Sequence, residues 1–318
     1  MLMLNKSYMV EFLFTGLTDK PELNIPLFLI FLFIYSTTLV GNIGIIILGL
    51  VDKRLHRPMY LFLCNLSFAD LTYSSAVSPK MLKDFLCEPK AISFVGCALQ
   101  MYVFVSFATI ECLLLGIMAY DRYVAICSPL QYGILMSSIV CVRMVAAAYF
   151  GGFMTALVHS VGVFHLNFCK SRIIDHFFCD IPPLYKLSCS DVTVSLSILI
   201  ILGGLVTMSC LILILFSYFN IVLAIMKIKS ALGRYKAFNT CASHMTAVSI
   251  FYGTVLFMYF RPSTSYALQQ DRVASVFYSI IIPMLNPLIY SLRNTEVKEA
   301  LKSSLKCSKE NVITESII

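Results

Sequence analysis

The chain has 318 residues, of which 59% are hydrophobic, and a mean hydropathy of +0.84. A soluble domain of this size is less apolar, and apolar runs of about 20 residues or more recur, so the composition excludes a soluble globule and predicts a polytopic membrane protein. The net charge of +7 is carried by loops and tail; it reads as an orientation signal, and no nucleic-acid partner is expected.

Residues 1–22 are polar enough to stay out of lipid. Asn5-Lys6-Ser7 fits the N-glycosylation acceptor pattern, which has meaning only if this end is lumenal. No basic start with a short apolar core and small-residue cleavage site precedes the first apolar run, so that run is expected to serve as the targeting signal. Charges then frame seven spans. None falls between Glu22 and Asp52, only Asp70 between Arg57 and Lys80, and only Glu111 between Lys90 and Asp121. None falls in 144–169, 192–226 or 273–292, and 237–260 holds only His244. The predicted limits are 25–50, 58–79, 97–121, 140–164, 195–226, 238–260 and 272–292. The runs are unbroken and not alternating, which selects helices over a barrel. The expected fold is an all-α membrane protein: a seven-transmembrane helix bundle over 25–292, an extracellular N-terminus over 1–24 and a cytoplasmic tail over 293–318.

An odd number of spans puts the two ends on opposite sides. Lys53, Arg54 and Arg57, then Lys227, Lys229, Arg234 and Lys236, then Arg293, Lys298, Lys302, Lys306 and Lys309 all fall on one side, which the positive-inside rule makes cytoplasmic. Cys87, Cys97, Cys169, Cys179 and Cys189 fall on the other side, where oxidation is permitted. A bond from Cys97 into loop 165–191 would tie that loop over the mouth of the bundle, leaving one cysteine over, read as Cys87. Cys64, Cys112, Cys127, Cys141, Cys210 and Cys241 read as small buried apolar groups, and Cys307 as a free thiol, with palmitoylation as the alternative.

Span three ends in Met118-Ala119-Tyr120-Asp121-Arg122-Tyr123-Val124-Ala125-Ile126-Cys127. From Cys97 to Arg122 a helix rises about 37 Å, enough to cross a hydrocarbon core of about 30 Å. Phe104, Ala108, Glu111, Leu115, Met118 and Arg122 then form one stripe on this helix, from the outer mouth to the inner edge. Asp70 on span two lies at a similar depth to Glu111. Two carboxylates there suggest a shared proton or a shared cation, with a purely structural hydrogen-bonded pair as the equal alternative; Asn42 and Asn286 could complete the cluster. Asp121-Arg122 reads either as a functional group or as interfacial snorkelling. Pro287, with Pro283, predicts a kink in span seven.

No enzyme is expected. The chain has no phosphate-cradling glycine loop with lysine, no His-Glu-x-x-His and no cysteine pair with zinc spacing. His159, His165, His176 and His244 are scattered, and each reads as a satisfied structural histidine. A transporter is disfavoured because the spans show no two-halved pattern.

The ordered set of short motifs closely resembles the rhodopsin-like G protein-coupled receptors and, within them, the odorant receptors. It comprises Gly41-Asn42, Pro58-Met59-Tyr60 through Leu66-Ser67-Phe68-Ala69-Asp70, the Met118–Cys127 stretch, His176-Phe177-Phe178-Cys179-Asp180, Leu187-Ser188-Cys189-Ser190-Asp191, Ser217-Tyr218, Lys236 through His244, Phe251-Tyr252-Gly253, and Pro283 through Asn294. Asn239 and Arg57 depart from the usual residues, tryptophan is absent, and span six carries Tyr252 and no proline.

The resemblance implies disulfides Cys97–Cys179 and Cys169–Cys189, and an inner switch of Asp121, Arg122 and Tyr123 working with Tyr218, Asn286, Pro287 and Tyr290. It implies a sodium site flanked by Asp70 and Glu111, with no other cofactor. The odorant pocket would be lined by Phe104, Val105, Ala108, Thr109, Leu202, Val206, Tyr252, Val255, Leu256 and Tyr259. That lining holds no carboxylate, so a small, volatile, weakly polar ligand is expected and an ion-paired amine is not. The implied function is an odorant receptor of the plasma membrane that activates a stimulatory olfactory-type heterotrimeric G protein and raises cyclic AMP. The alternatives are a receptor for a non-odorant metabolite and, more distantly, a transporter.

Overall fold

The computed structural model describes residues 11–259, 267–293 and 297–302, without the side chains of 236, 239, 240, 256–259, 267–271, 292 and 293. Among them, seven long helical rods pack side by side: α1 (Asn24–Val51), α2 (Pro58–Leu86), α3 (Phe94–Cys127), α4 (Ser138–Phe164), α5 (Thr193–Met226), α6 (Ala231–Tyr259) and α7 (267–293). Five stretches are apolar enough by themselves to cross a membrane, within α1, α3, α4, α5 and α7. The other two rods carry polar groups turned inward, Ser67, Asp70, Ser74 and Ser78 on α2 and Ser243 and His244 on α6. Large apolar side chains such as Phe33, Val40, Phe150 and Phe219 face outward, as a lipid solvent requires. The chain is a multi-pass membrane protein.

The rods run past the limits that charge framed. Ser93 caps α3 by accepting a hydrogen bond from the Gly96 amide at 3.0 Å, so this helix starts at Phe94. Pro58 opens α2, where a missing amide hydrogen costs nothing. α3 is the central rod, packed against α2, α4, α5 and α6. Two glycines permit close approaches: a Cβ on Gly41 of α1 would lie 2.9 Å from the Pro287 ring, and one on Gly152 of α4 would lie 2.8 Å from the Ser106 carbonyl oxygen. α5 and α7 each contain one wide turn, Leu199–Gly203 and Phe277–Ile281, with i→i+5 character.

One end of the bundle is capped. The bonds Cys97–Cys179 and Cys169–Cys189 are both formed, and Cys87 is an exposed free thiol. The cap also holds a small sheet that the all-helical expectation omitted. Strand β1 (Glu11–Phe14) lies between β2 (Ala91–Ser93), antiparallel to it, and β3 (Ile173–Ile174), parallel to it. Phe12 and Phe14 alternate into a cluster with Phe94, Phe164 and Phe168. Four residues of alternation are too short a signal to read without the partner strands. Arg272 at the start of α7 is ion-paired to Asp175 and donates to the Thr15 hydroxyl. At the opposite end, residues 297–302 form a further helical turn that buries Val297 and Ala300.

Candidate functional site

Below the cap the bundle encloses a cavity of about 480 Å³, within the range of small-molecule sites. α3 contributes Phe104, Val105, Ala108, Thr109, Glu111 and Cys112, the spacing of one helix face. Val206 on α5 and Val255 on α6 also line it. Leu202 and Tyr252 are not among the walls. The wide turn in α5 brings Leu199, Ile200 and Gly203 inward, so Leu202 falls to the flank. Tyr252 lies behind Cys112, its hydroxyl 3.3 Å from that Sγ. The side chains of Leu256 and Tyr259, and Asn5, Cys307 and the last 16 residues (303–318), lie outside the described residues.

Sequence reasoning missed a second set of walls: Thr155 and His159 on α4, Tyr278 on α7, and Asp180 with its neighbours from loop two, the connection 165–191 between α4 and α5. The expectation of a pocket without carboxylates is corrected here, because Asp180 and Glu111 both reach the wall. Loop two, tied to α3 by Cys97–Cys179, folds back into the bundle and carries Asp180 with it. Gln100 fixes this approach: its side-chain oxygen accepts from the Cys179 amide at 2.9 Å, while its amide donates to the Ala76 carbonyl at 2.8 Å. Asp180 accepts from the Ile181 amide at 2.8 Å and from the Tyr278 hydroxyl at 2.7 Å. Tyr278 meets Ser275 at 2.8 Å, and Ser275 meets His176 Nε2 at 3.0 Å. Burial, and then the Arg272 charge, hold the His176 imidazole down to about 3. Burial pushes the Asp175 carboxyl up, but hydrogen bonding and attraction from Arg272 outweigh it, and Asp175 ends below the ordinary carboxylate value.

Deeper in the bundle, the Asn286 side-chain amide donates to Asp70 at 3.0 and 3.2 Å and to Glu111 at 3.0 Å. All three residues are buried. The Asn42 amide donates to the carbonyls of Thr38 and Pro283, each at 3.0 Å. Among the described residues, Glu111 Oε2 and Asn42 Oδ1 have no hydrogen-bond partner. Two carboxylates sharing one amide, with a buried orphan oxygen, form a donor set of hard oxygens suited to a small cation; a shared proton would also relieve the repulsion.

At the far end of α3, Asp121 accepts from the Tyr132 hydroxyl at 2.7 Å. The Arg122 guanidinium is 9% exposed and touches the Met59 sulfur. The Tyr218 hydroxyl lies 2.6 Å from His244 Nδ1, and His244 Nε2 lies 3.1 Å from the Leu115 carbonyl, linking α5, α6 and α3. The Tyr290 hydroxyl is buried and has no hydrogen-bond partner among the described residues. Tyr123 is half-buried, its ring against Phe216, and Pro287 packs on Gly41. His244 and Tyr132 join this group only in three dimensions. His244 and His176 are satisfied, as expected of structural histidines; His159 departs from that expectation and has no hydrogen-bond partner among the described residues.

The sequence profile of the olfactory receptor family matches residues 31–308. Mouse olfactory receptor 5AR1 is 54% identical over 298 residues, covering 94% of this chain and 96% of that one. Human olfactory receptor 5AR1 is 53% identical over the same shares, and human olfactory receptor 5F1 is 54% identical over 93% of this chain and 95% of its own. Among solved structures, the crystal structure of squid rhodopsin matches with a TM-score of 0.66 at 20% identity, over 92% of this chain and 87% of that one.

Proposed function

Because the chain belongs to the olfactory receptor family, we propose that it is an odorant-gated exchange catalyst for a stimulatory olfactory-type heterotrimeric G protein, raising cyclic AMP. The observation that carries this reading is on α3: one face of it walls the cavity from Phe104 to Cys112, and the same rod buries Arg122 against Met59. From Ala108 to Arg122 the helix rises about 21 Å, so a single stiff element joins a ligand-sized cavity to a buried cation.

The disulfide end would face outside and the arginine end the cytosol of a cell at whose plasma membrane the receptor sits. The described arrangement is the resting one: Arg122 is buried, and Tyr218 and His244 hold α5 and α6 to α3. An odorant that fits a rearranged cavity better shifts the population toward it. Moving from mostly off to mostly on takes about 5.5 kcal/mol of differential binding, which a small odorant supplies only in part, so micromolar potency follows. The opening would free Arg122 for the G protein, while Asp121, Tyr123, Tyr218, Asn286, Pro287 and Tyr290 repack. A sodium ion between Asp70 and Glu111 would be held by their carboxylates and released as Asn286 shifts.

Cyclic AMP output from cells expressing the chain, across a broad odorant panel, tests the reading. Odorant-dependent cyclic AMP that disappears in Arg122→Ala supports it; equal signalling from that variant sinks the switch. Odorant-dependent flux in vesicles without G protein would instead favour transport.

A further inference from the structure

The cavity contains a buried polar side chain that the protein itself leaves unsatisfied. His159 is 4% exposed and lines the cavity, and neither ring nitrogen meets a hydrogen-bond partner among the described residues. The other two buried histidines are both paired, His176 with Ser275 and His244 with Tyr218 and Leu115. Its ring nitrogens are not sealed by protein, so the hydrogen bond they lack is open to whatever occupies the cavity.

The position of His159 is fixed. Gly152, two turns earlier on α4, lets the helix dock against the Ser106 carbonyl of α3. One turn beyond His159, the Ser195 hydroxyl of α5 donates to the Gly162 carbonyl at 2.8 Å. The imidazole is therefore held between two anchored points of its helix. Thr155 lies one turn away on the same face of α4; it is 7% exposed, also lines the cavity and has no partner of its own among the described residues. The remaining wall on α3, α5 and α6 is mostly apolar, with Val105, Ala108, Ile200, Val206 and Val255; its hydroxyls are Thr109, which donates to the Val105 carbonyl at 2.8 Å, and Thr207, half-buried on α5. Of the acidic groups on the wall, Asp180 is engaged by Tyr278 and Glu111 Oε1 by Asn286, while the unpartnered Glu111 Oε2 is fully enclosed by protein.

We propose that His159, supported by Thr155, is the hydrogen-bonding anchor of this cavity, and that its ligands are apolar molecules bearing one uncharged oxygen function: a ketone, aldehyde, alcohol or ester. This deepens, and rests on, the odorant reading of the cavity. A neutral imidazole has one donor and one acceptor nitrogen, so it matches a carbonyl through the first and a hydroxyl through either. A hydrocarbon of the same shape leaves the ring unpaired and binds more weakly, through the apolar wall alone. A carboxylate ligand is repelled by Asp180 and Glu111 on the same wall.

The test uses the full chain in two settings. In cells, cyclic AMP responses are compared for chain-length-matched probes: a methyl ketone, a primary alcohol, an acetate ester, an alkane and a carboxylic acid. The parent, His159→Leu, His159→Gln and Thr155→Val are compared at matched surface abundance. In detergent, nitrogen-15 spectra of the histidine rings of the purified receptor are recorded with and without the ketone, and the His159 signal is assigned by its loss in His159→Gln. The expected results are a drop of about tenfold or more in potency of the oxygenated probes in His159→Leu, partial recovery in His159→Gln, a smaller loss in Thr155→Val, no loss for the alkane, and a His159 signal moved by the ketone.

Equal losses for ketone and alkane in His159→Leu would make the residue a packing group and overturn the anchor. So would a His159→Gln as impaired as His159→Leu, or a ring signal unmoved by saturating ketone. Should His159→Leu fail to reach the surface, the glutamine variant and the ring signal decide alone. A parent chain silent to every probe in cells, with its His159 signal still moved by the ketone, would sink the signalling reading and leave the anchor standing.

Discussion

The two ends of the bundle are held by different kinds of force. At the disulfide end, loop two is bonded covalently to α3, the N-terminal segment is woven into a three-stranded sheet, and Arg272 joins α7 to loop two and Thr15. At the arginine end, the described polar ties between rods include Tyr218 to His244, His244 to the Leu115 carbonyl, and Arg122 to the Met59 sulfur. Each such hydrogen bond contributes about 0.5–1.5 kcal/mol net, whereas a disulfide closing a long loop contributes about 2–5 kcal/mol. A ligand able to supply only a few kcal/mol of differential binding can rearrange the second end and not the first. The mouth is clamped, and the polar ties at the foot are individually weaker.

The largest expected effect comes from cutting the clamp. Cys97→Ser should lower unfolding stability by about 2–5 kcal/mol, because the bond spans 82 residues. Thermal denaturation of purified protein and surface abundance in cells would register it, and a change under about 1 kcal/mol would contradict the contrast between the ends. Tyr218→Phe attacks the foot. It strands buried His244 Nδ1 and should cost about 1–3 kcal/mol; an unchanged melting temperature would show that this tie does not hold the resting arrangement.

The middle of the bundle gives a third effect. If a cation neutralises Asp70 and Glu111, replacing sodium with choline should lower the melting temperature of the parent by a few degrees, as loss of any native-state ligand does, and Asp70→Asn should remove the dependence. Equal melting temperatures in both salts would favour a shared proton.

The smallest effect is a pH dependence of the clamp. His176 is held neutral in the fold, with its value pushed down to about 3, while the unfolded chain titrates near about 6.5. Below about pH 6.5 the unfolded state binds the extra proton, so stability falls as pH falls through that window toward 3. One pH unit into it the loss is about 1 kcal/mol, and His176→Gln should flatten the melting curve between pH 7 and 5.5. Asp175 acts the same way lower down: its stabilisation is present above the ordinary carboxylate value and is lost on acidification through its depressed one.

Much of the architecture is written locally. Charge-free runs set the rods, Cys97 with the cysteines of loop two announced a tied loop, and the stripe from Phe104 to Arg122 placed the cavity wall and the buried arginine on one helix. The cluster of Asp70, Glu111 and Asn286 could be suspected because polar groups are expensive in lipid and tend to gather; Asn42, expected with them, donates instead to the Thr38 and Pro283 carbonyls. Other features had no local signal. β1 finds its partners about 80 and 160 residues away. The wide turn in α5 moved the inward stripe past Leu202. Asp180 entered the cavity because a distant disulfide and Gln100 pull loop two inward.

Hydropathy and charge are properties of each residue and its near neighbours, so the sequence alone determined that the chain is a multi-pass bundle of helical rods and which motifs they carry. Only the tertiary structure decided which polar groups meet across rods and which are left waiting. His176, His244 and His159 look alike along the chain, yet packing gave Ser275 to the first, Tyr218 and Leu115 to the second, and an open cavity to the third.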